Sequence, residues 1–322
     1  MSRRQNQSFS SSSSASDRGF LAPFRLPEPR TRRERVHSFV TFSPIYPLLF
    51  VSACAVAILY VSLLLQGLLS LSSALLIIAA FLLSFSVYSL NRVTDLEEDA
   101  INLPDGGRSI KKNRDYLLFA SLESINIALV LAFFSYPSAV IVILFAFFVA
   151  FFYGLGTHRF RLKNILLLKS ITVAGTMTIT AVALSFAVYA NSAFIVLTVT
   201  YFIFLKIFIA TVLLDVRDIE GDQKAGVRTI PVSLGVNKTR NLLLLLNSTL
   251  VPWVAFSLFR DMFYPYIFVL ILSVLYGYWI ILRFTRARAQ TSRLYYNSLI
   301  TGEWIILALY ATPFALGWPH IL

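Results

Sequence analysis

The chain has 322 residues, 57% of them hydrophobic and only 14% charged, with a mean hydropathy of +0.73. Soluble domains carry about 25% charged residues, so a soluble globular protein is excluded and an all-α polytopic membrane protein is expected. The net charge of +12 would suit nucleic acid, but its distribution along the chain assigns it to the lipid bilayer instead.

Residues 1–37 are rich in Ser and Arg and have no long apolar run. They read as a disordered cytoplasmic tail, with 38–322 as the membrane domain. An organellar transit peptide has similar composition, but Asp17, Glu28 and Glu34 argue against one. Apolar runs of about 20 residues, the length that spans a bilayer, fall near 44–66, 71–94, 116–135, 137–156, 165–189, 193–214, 241–259, 263–282 and 298–318. Nine transmembrane helices in one bundle are therefore expected. Of 28 Lys and Arg, eight precede residue 36, five lie in 92–114, three in 159–163, five in 217–240 and four in 283–293. With a cytoplasmic N-terminus, all 25 fall on the cytoplasmic side of nine alternating spans, which is the positive-inside asymmetry. Arg260 alone falls in an outside loop, and Lys169 and Lys206 lie within spans. A lysine inside hydrocarbon calls for a cavity or a partner; the carboxylates at the end of span six are the nearest candidates for Lys206 in sequence. Cys54 is the only cysteine, and His37, His158 and His320 are scattered, so neither a disulfide nor a thiolate or histidine metal site is indicated.

Only 16 residues are Asp or Glu, and eight of them fall in two windows: Asn91 to Asp99 at the end of span two, and Asp215 to Asp222 at the end of span six. Residues four apart share a helix face, which makes one polar ridge of Asn91, Asp95 and Asp99 and another of Asp218 and Asp222. Like charges at that spacing repel, and a helix C-terminus disfavours anions. The arrangement is poor for an isolated helix but suits a divalent cation, and oxygen ligands are what Mg²⁺ takes. Each ridge is followed by a turn-rich, basic segment, Pro104 to Lys112 and Lys224 to Gly235. Carboxylates, a metal and surrounding cations together read as a diphosphate site. Beside an apolar, aromatic-rich bundle, the substrate with both properties is a polyprenyl diphosphate. One solvated acidic run at a helix end is commonplace; two on the same face, each with a basic sequel, are not.

These residues carry a resemblance. Asn91-x3-Asp95-x3-Asp99 and Asp218-x3-Asp222-x3-Gly226-x-Arg228-Thr229-x-Pro231-Val are similar to the two signatures of the UbiA family of intramembrane prenyltransferases. The nine-span layout and the tyrosine-then-basic loop from Tyr153 to Lys163 are similar too, so the resemblance covers about residues 38–322. It implies Mg²⁺ as cofactor, held by Asn91, Asp95, Asp99, Asp218 and Asp222 with Asp215 an extra upstream carboxylate. It also implies Asn91, Arg108, Tyr153, Lys163 and Arg228 as diphosphate contacts, with Asp95, Asp99, Asp218 and Asp222 carrying the catalysis. The chain departs from the family pattern at Asn91-Arg92, where members often have Asn-Asp. It departs again at Gly107-Arg108-Ser109, where they often have an Arg-x-x-Arg-Pro run; the acceptor class stays open.

The expected function is Mg²⁺-dependent transfer of a prenyl group from a prenyl diphosphate to a lipophilic acceptor. The expected location is a bacterial or archaeal plasma membrane with the site facing the cytoplasm, or an organellar membrane. A terpene cyclase of the same fold needs the same ionisation site and stands as the alternative. A transporter would place its polar residues near the bilayer midplane, and an accessory subunit would not need both Asp signatures.

Overall fold

The computed structural model describes residues 45–71, 73–94, 113–154, 168–224, 226–286 and 293–317. Thirteen helices occur among them: α1 Ile45–Leu65, α2 Ser73–Thr94, α3 Arg114–Ser135, α4 Pro137–Gly154, α5 Leu168–Val188, α6 Ala193–Arg217, α7 Ile219–Lys224, α8 Ile230–Leu234, α9 Val236–Ser248, α10 Leu250–Phe259, α11 Ile267–Arg286, α12 Arg293–Thr301 and α13 Glu303–Ala315. No strand occurs among the described residues. The tail expected at 1–37 lies outside them.

Apolar helices overlap all nine expected stretches, but seven of them, or eight with one bent pair, are long and apolar enough to cross a membrane among the described residues. The seven are α1, α2, α3, α5, α6, α9 continuing into α10 as Val236–Phe259, and α11. α12 and α13 pass the same test together, bent by 46°. The ninth stretch, Pro137–Phe152 in α4, is a shorter apolar helix. The bend falls at Gly302, where a Cβ would sit 2.0 Å from the Ser298 carbonyl oxygen, so no larger residue fits without moving the backbone.

Lipid tails are as apolar as the side chains, so the helices associate through close packing and interhelical hydrogen bonds rather than hydrophobic expulsion. The α2–α3 interface shows how. Ala79, Ser86, Ala128 and Ala132 are fully buried, and their small size brings the two backbones together. The Ser121 hydroxyl donates to the Ser86 carbonyl at 2.8 Å. α1 is the shared wall of the bundle, packing on α2, α5, α6 and α13. Ser185 on α5 donates to Ser62 on α1 at 2.9 Å, and Tyr60 and Thr312 share a hydrogen bond of 3.0 Å that ties α1 to α13. One apolar cluster lies mainly in α1 to α4, and a second, larger one gathers residues of α1, α5, α6 and α8 to α13.

α6 runs through the second cluster and is half enclosed, with Phe202, Ile203, Lys206, Ile209, Val212, Leu213 and Asp215 among its buried residues. Lys206 finds its partner in Glu303, not in the acids at the end of its own helix. Its Nζ lies 2.6 Å from Glu303 Oε1 and donates to the Ser273 carbonyl at 2.9 Å. Ser273 Oγ donates to the same Glu303 oxygen at 2.8 Å. Asp215 is nine residues further along α6, about 13 Å at the helical rise, which is beyond a lysine's stem.

Candidate active site

The acids of the second signature gather where α6 gives way to α7. α6 stops at Arg217, and Asp218 leaves helical geometry at φ −94° and ψ 11°, its N–H turned to the carbonyls of Leu214 and Asp215. The Asp222 N–H then bonds the Asp218 carbonyl at 2.9 Å. Asp218 and Asp222 are thus one turn apart, as the spacing indicates, but on either side of a break rather than along one continuous ridge. The break frees the chain to turn at the membrane edge, and α8 packs back on α6 and α7.

The three carboxylates have different surroundings. Asp215 is buried, with Lys169 Nζ 2.9 Å from its Oδ1 and the Ser170 hydroxyl donating to its Oδ2 at 2.9 Å. Asp222 is reached by the same ammonium at 3.4 Å from both of its oxygens. Asp218 is paired with Arg217, whose Nε donates to Oδ1 at 2.8 Å and whose Nη2 meets Oδ2. That guanidinium also bonds Asn297 of α12 and lies 5.7 Å from the centroid of the Tyr296 ring. Tyr296 in turn donates to the Leu213 carbonyl at 2.8 Å. Residues of α5, α6, α7 and α12 therefore meet at one end of the bundle.

Electrostatically, Asp222 is the under-compensated member. Burial pushes its carboxyl above the ordinary 3.8; the Lys169 ammonium opposes this, and the charges of Asp215 and Asp218 add to it. Desolvation and like charge both disfavour the ionised form, and a cation would relieve both. The donor set here is oxygen throughout, which fits Mg²⁺ and not a soft metal. Nearby in sequence, the Thr229 hydroxyl is buried with no hydrogen-bond partner among the described residues. Those residues hold no preassembled cluster of three His, Cys, Asp or Glu around one metal position.

Of the other expected site residues, Asn91 is half-buried in the last turn of α2, where its carbonyl accepts from Thr94 Oγ1 at 3.0 Å. No side-chain bond joins it to the α6–α7 acids among the described residues. Arg228 is exposed in the turn before α8. Asp95, Asp99, Arg108 and Lys163, and the side chain of Tyr153, lie outside the described residues. Sequence reasoning set Lys169 within a span but not in the site, and passed over Ser170, Arg217 and Asn297. Lys169 had a readable signal, since a lysine at the start of an apolar run needs a counter-charge, and Arg217 sits inside the acidic window itself. Asn297 had none.

Between α1, α2, α4 and α5 lies an apolar cavity of about 90 Å³, lined by residues such as Leu59, Leu83, Tyr88, Ala150 and Met177. Tyr88 is one turn from Asn91, and Met177 is on the helix whose first turn holds Lys169, so the helices bearing the polar end also wall the cavity.

This architecture is shared with solved structures. A UbiA homologue from Archaeoglobus fulgidus bound to GPP and Mg²⁺ superposes with a TM-score of 0.65 at 17% identity, over 85% of this chain and 99% of that one. The apo structure of a UbiA homologue from Aeropyrum pernix K1 gives 0.65 at 16% identity, over 82% and 98%. A structure reported for digeranylgeranylglyceryl phosphate synthase gives 0.52 at 15%, over 88% and 97%. No curated protein matches the chain by sequence. At such identities the likeness shows the fold. The sequence itself matches the UbiA prenyltransferase family across residues 49–300, and the chain is a membrane-embedded prenyltransferase belonging to that family.

Proposed function

We propose that this prenyltransferase takes a prenyl diphosphate at the α6–α7 end of the bundle and passes the prenyl group to a lipophilic acceptor, with Mg²⁺ as the required ion. The observation that carries the reading is the gathering of Asp215, Asp218 and Asp222 at the end of a membrane-buried helix, with Asp222 short of positive charge. The binding of GPP and Mg²⁺ by the Archaeoglobus homologue supports the substrate class.

Asp218 and Asp222, with Asn91, Asp95 and Asp99 from the first signature, would hold the metal. Asp215 stands behind them, fixed by Lys169 and Ser170. When bound, Mg²⁺ supplies positive charge to the leaving diphosphate. Arg228, with Arg108, Lys163 and Tyr153, is assigned to the diphosphate oxygens, and the apolar cavity to the start of the hydrocarbon chain. The allylic C–O bond breaks heterolytically, and its electron pair leaves with the diphosphate. A nucleophilic atom of the acceptor then bonds to the prenyl carbon and releases a proton. The cations of the site stabilise the charge that develops on the leaving group, and the apolar walls keep water from the carbocation.

The distribution of basic residues supports a cytoplasmic location for this end of the bundle. The test is incubation of the purified chain with Mg²⁺ and radiolabelled prenyl diphosphates against a panel of lipophilic acceptors. The expected result is a prenylated product that requires Mg²⁺ and is lost in Asp218→Asn and Asp222→Asn. Cyclised hydrocarbon without acceptor, or turnover unaffected by both substitutions, would contradict it.

A further inference from the structure

Lys169 belongs to neither signature, yet it is the cation that both inner carboxylates share. It stands in the first turn of α5 and faces Asp215 on α6 and Asp222 on α7. The two contacts are unequal. Asp215 has one oxygen on Lys169 at 2.9 Å and the other on Ser170 at 2.9 Å, so adjacent residues of one helix grip both ends of a buried carboxylate. Asp222 is met at 3.4 Å by an ammonium equidistant from its two oxygens, the long limit of a hydrogen bond. Asp215 is the anchor, and Asp222 is the exchangeable partner. The lysine side chain is 29% exposed, and a flexible four-carbon stem lets an ammonium re-aim without moving the helix.

We propose that Lys169 is the resident counter-ion of this end: it neutralises Asp222 when no divalent cation is present and yields that carboxylate when one binds, while staying tied to Asp215. The proposal rests on the reading of Asp222 as a metal ligand. A divalent cation on Asp222 would stand beside the ammonium, and like charges that close repel, so lysine and metal compete for one carboxylate. The consequence is that Lys169 weakens metal affinity while supporting the metal-free fold. It is therefore a positioning residue whose removal makes metal bind more tightly, the opposite of what loss of a merely structural contact does.

The test uses the full chain in detergent and two readouts besides turnover. In the wild type, amine-reactive labelling followed by mass spectrometry compares Lys169 with the exposed Lys224 and Lys238, with and without Mg²⁺ alone. Labelling of Lys169 is expected to rise severalfold with Mg²⁺ while the other two stay constant. Second, thermal unfolding is followed across a Mg²⁺ titration for the wild type, Lys169→Met and Lys169→Arg. Lys169→Met is expected to melt several degrees lower without metal and to half-saturate at about tenfold lower Mg²⁺; Lys169→Arg should stay within about threefold of the wild type. If Lys169→Met does not fold, the wild-type labelling decides alone. A wild type that Mg²⁺ stabilises, but whose Lys169 labelling and Lys169→Met half-saturation do not change, overturns the counter-ion role only. A wild type that Mg²⁺ neither stabilises nor relabels overturns the metal site on which it rests.

Discussion

α6 carries two sets of charges, and the contrast between them separates structure from chemistry. At mid-helix, Lys206 and Glu303 are 1% and 5% exposed and 2.6 Å apart, with Ser273 supplying both an acceptor and a donor. The charges cancel, and the pair is sealed. At the helix end, three carboxylates share two cations among the described residues; Asp218 and Asp222 are 26% and 13% exposed, and Lys169 is 29%. An ionisable residue inside a membrane protein is by default a functional hypothesis. Here the more deeply buried pair is complete, and the open, charge-imbalanced end is where a ligand has something to contribute.

The largest expected effect comes from breaking the sealed pair. Glu303→Gln leaves an uncompensated ammonium in the core, a loss worth about 3–5 kcal/mol of stability. Replacing both members, as in Lys206→Met with Glu303→Leu, should recover most of it, because desolvation of the pair offsets much of its attraction. Unfolding in increasing denaturant checks this. Equal stability of the single variant and the wild type would mean the pair is not sealed.

The same logic inverts at the open end. Asp222→Asn or Asp218→Asn should lower prenyl transfer at least about a hundredfold, or roughly 2.7 kcal/mol of barrier, without lowering the metal-free melting temperature. Since these groups act as a unit, Asp95→Asn combined with Asp218→Asn should cost far less than the two losses summed. Rates per inserted, folded molecule for wild type, singles and double decide the point.

The sequence made this contrast only half legible. Spans were readable because twenty apolar residues have few uses other than crossing a bilayer. The acidic windows were readable because acids are so scarce in this chain. The partners of Lys206 and Asp215 were not. Glu303 lies 97 positions after Lys206, and only the α12–α13 bend at Gly302 and the packing of α13 and α11 bring it near. Asp218 and Asp222 have ridge spacing in sequence, but the spacing is silent about the helix break at Asp218, which is set by a backbone turn. Four of the expected site residues lie outside the described residues, so the first signature rests on its pattern alone.

A smaller effect tests how tightly the sealed region is packed. A Cβ on Gly277 would lie 2.2 Å from Asn247 Oδ1 and 3.1 Å from Lys206 Nζ. Gly277→Ala should therefore cost about 1–3 kcal/mol, the range for overpacking, with turnover per folded molecule little changed. A neutral substitution would show that Asn247 has room to move.

The smallest effect is a pH dependence confined to the open end. The folded Asp222 carboxyl lies above its unfolded value, chiefly through burial. The folded, metal-free protein therefore holds this proton more tightly. Its contribution to stability is full below the unfolded value and is lost as pH rises through the raised one. The metal-free melting temperature should fall across that window, and the slope should flatten in Asp222→Asn. Metal affinity should rise over the same window, because protons and metal compete for the carboxylate.

The most direct measurement is Mn²⁺ binding, followed by electron paramagnetic resonance, in three proteins: wild type, Asp222→Asn, and Lys206→Met with Glu303→Leu. The account predicts that wild type and the pair-replaced protein bind with the same affinity, while Asp222→Asn binds at least about tenfold more weakly. Unchanged affinity in Asp222→Asn, or a loss confined to the pair-replaced protein, would contradict it.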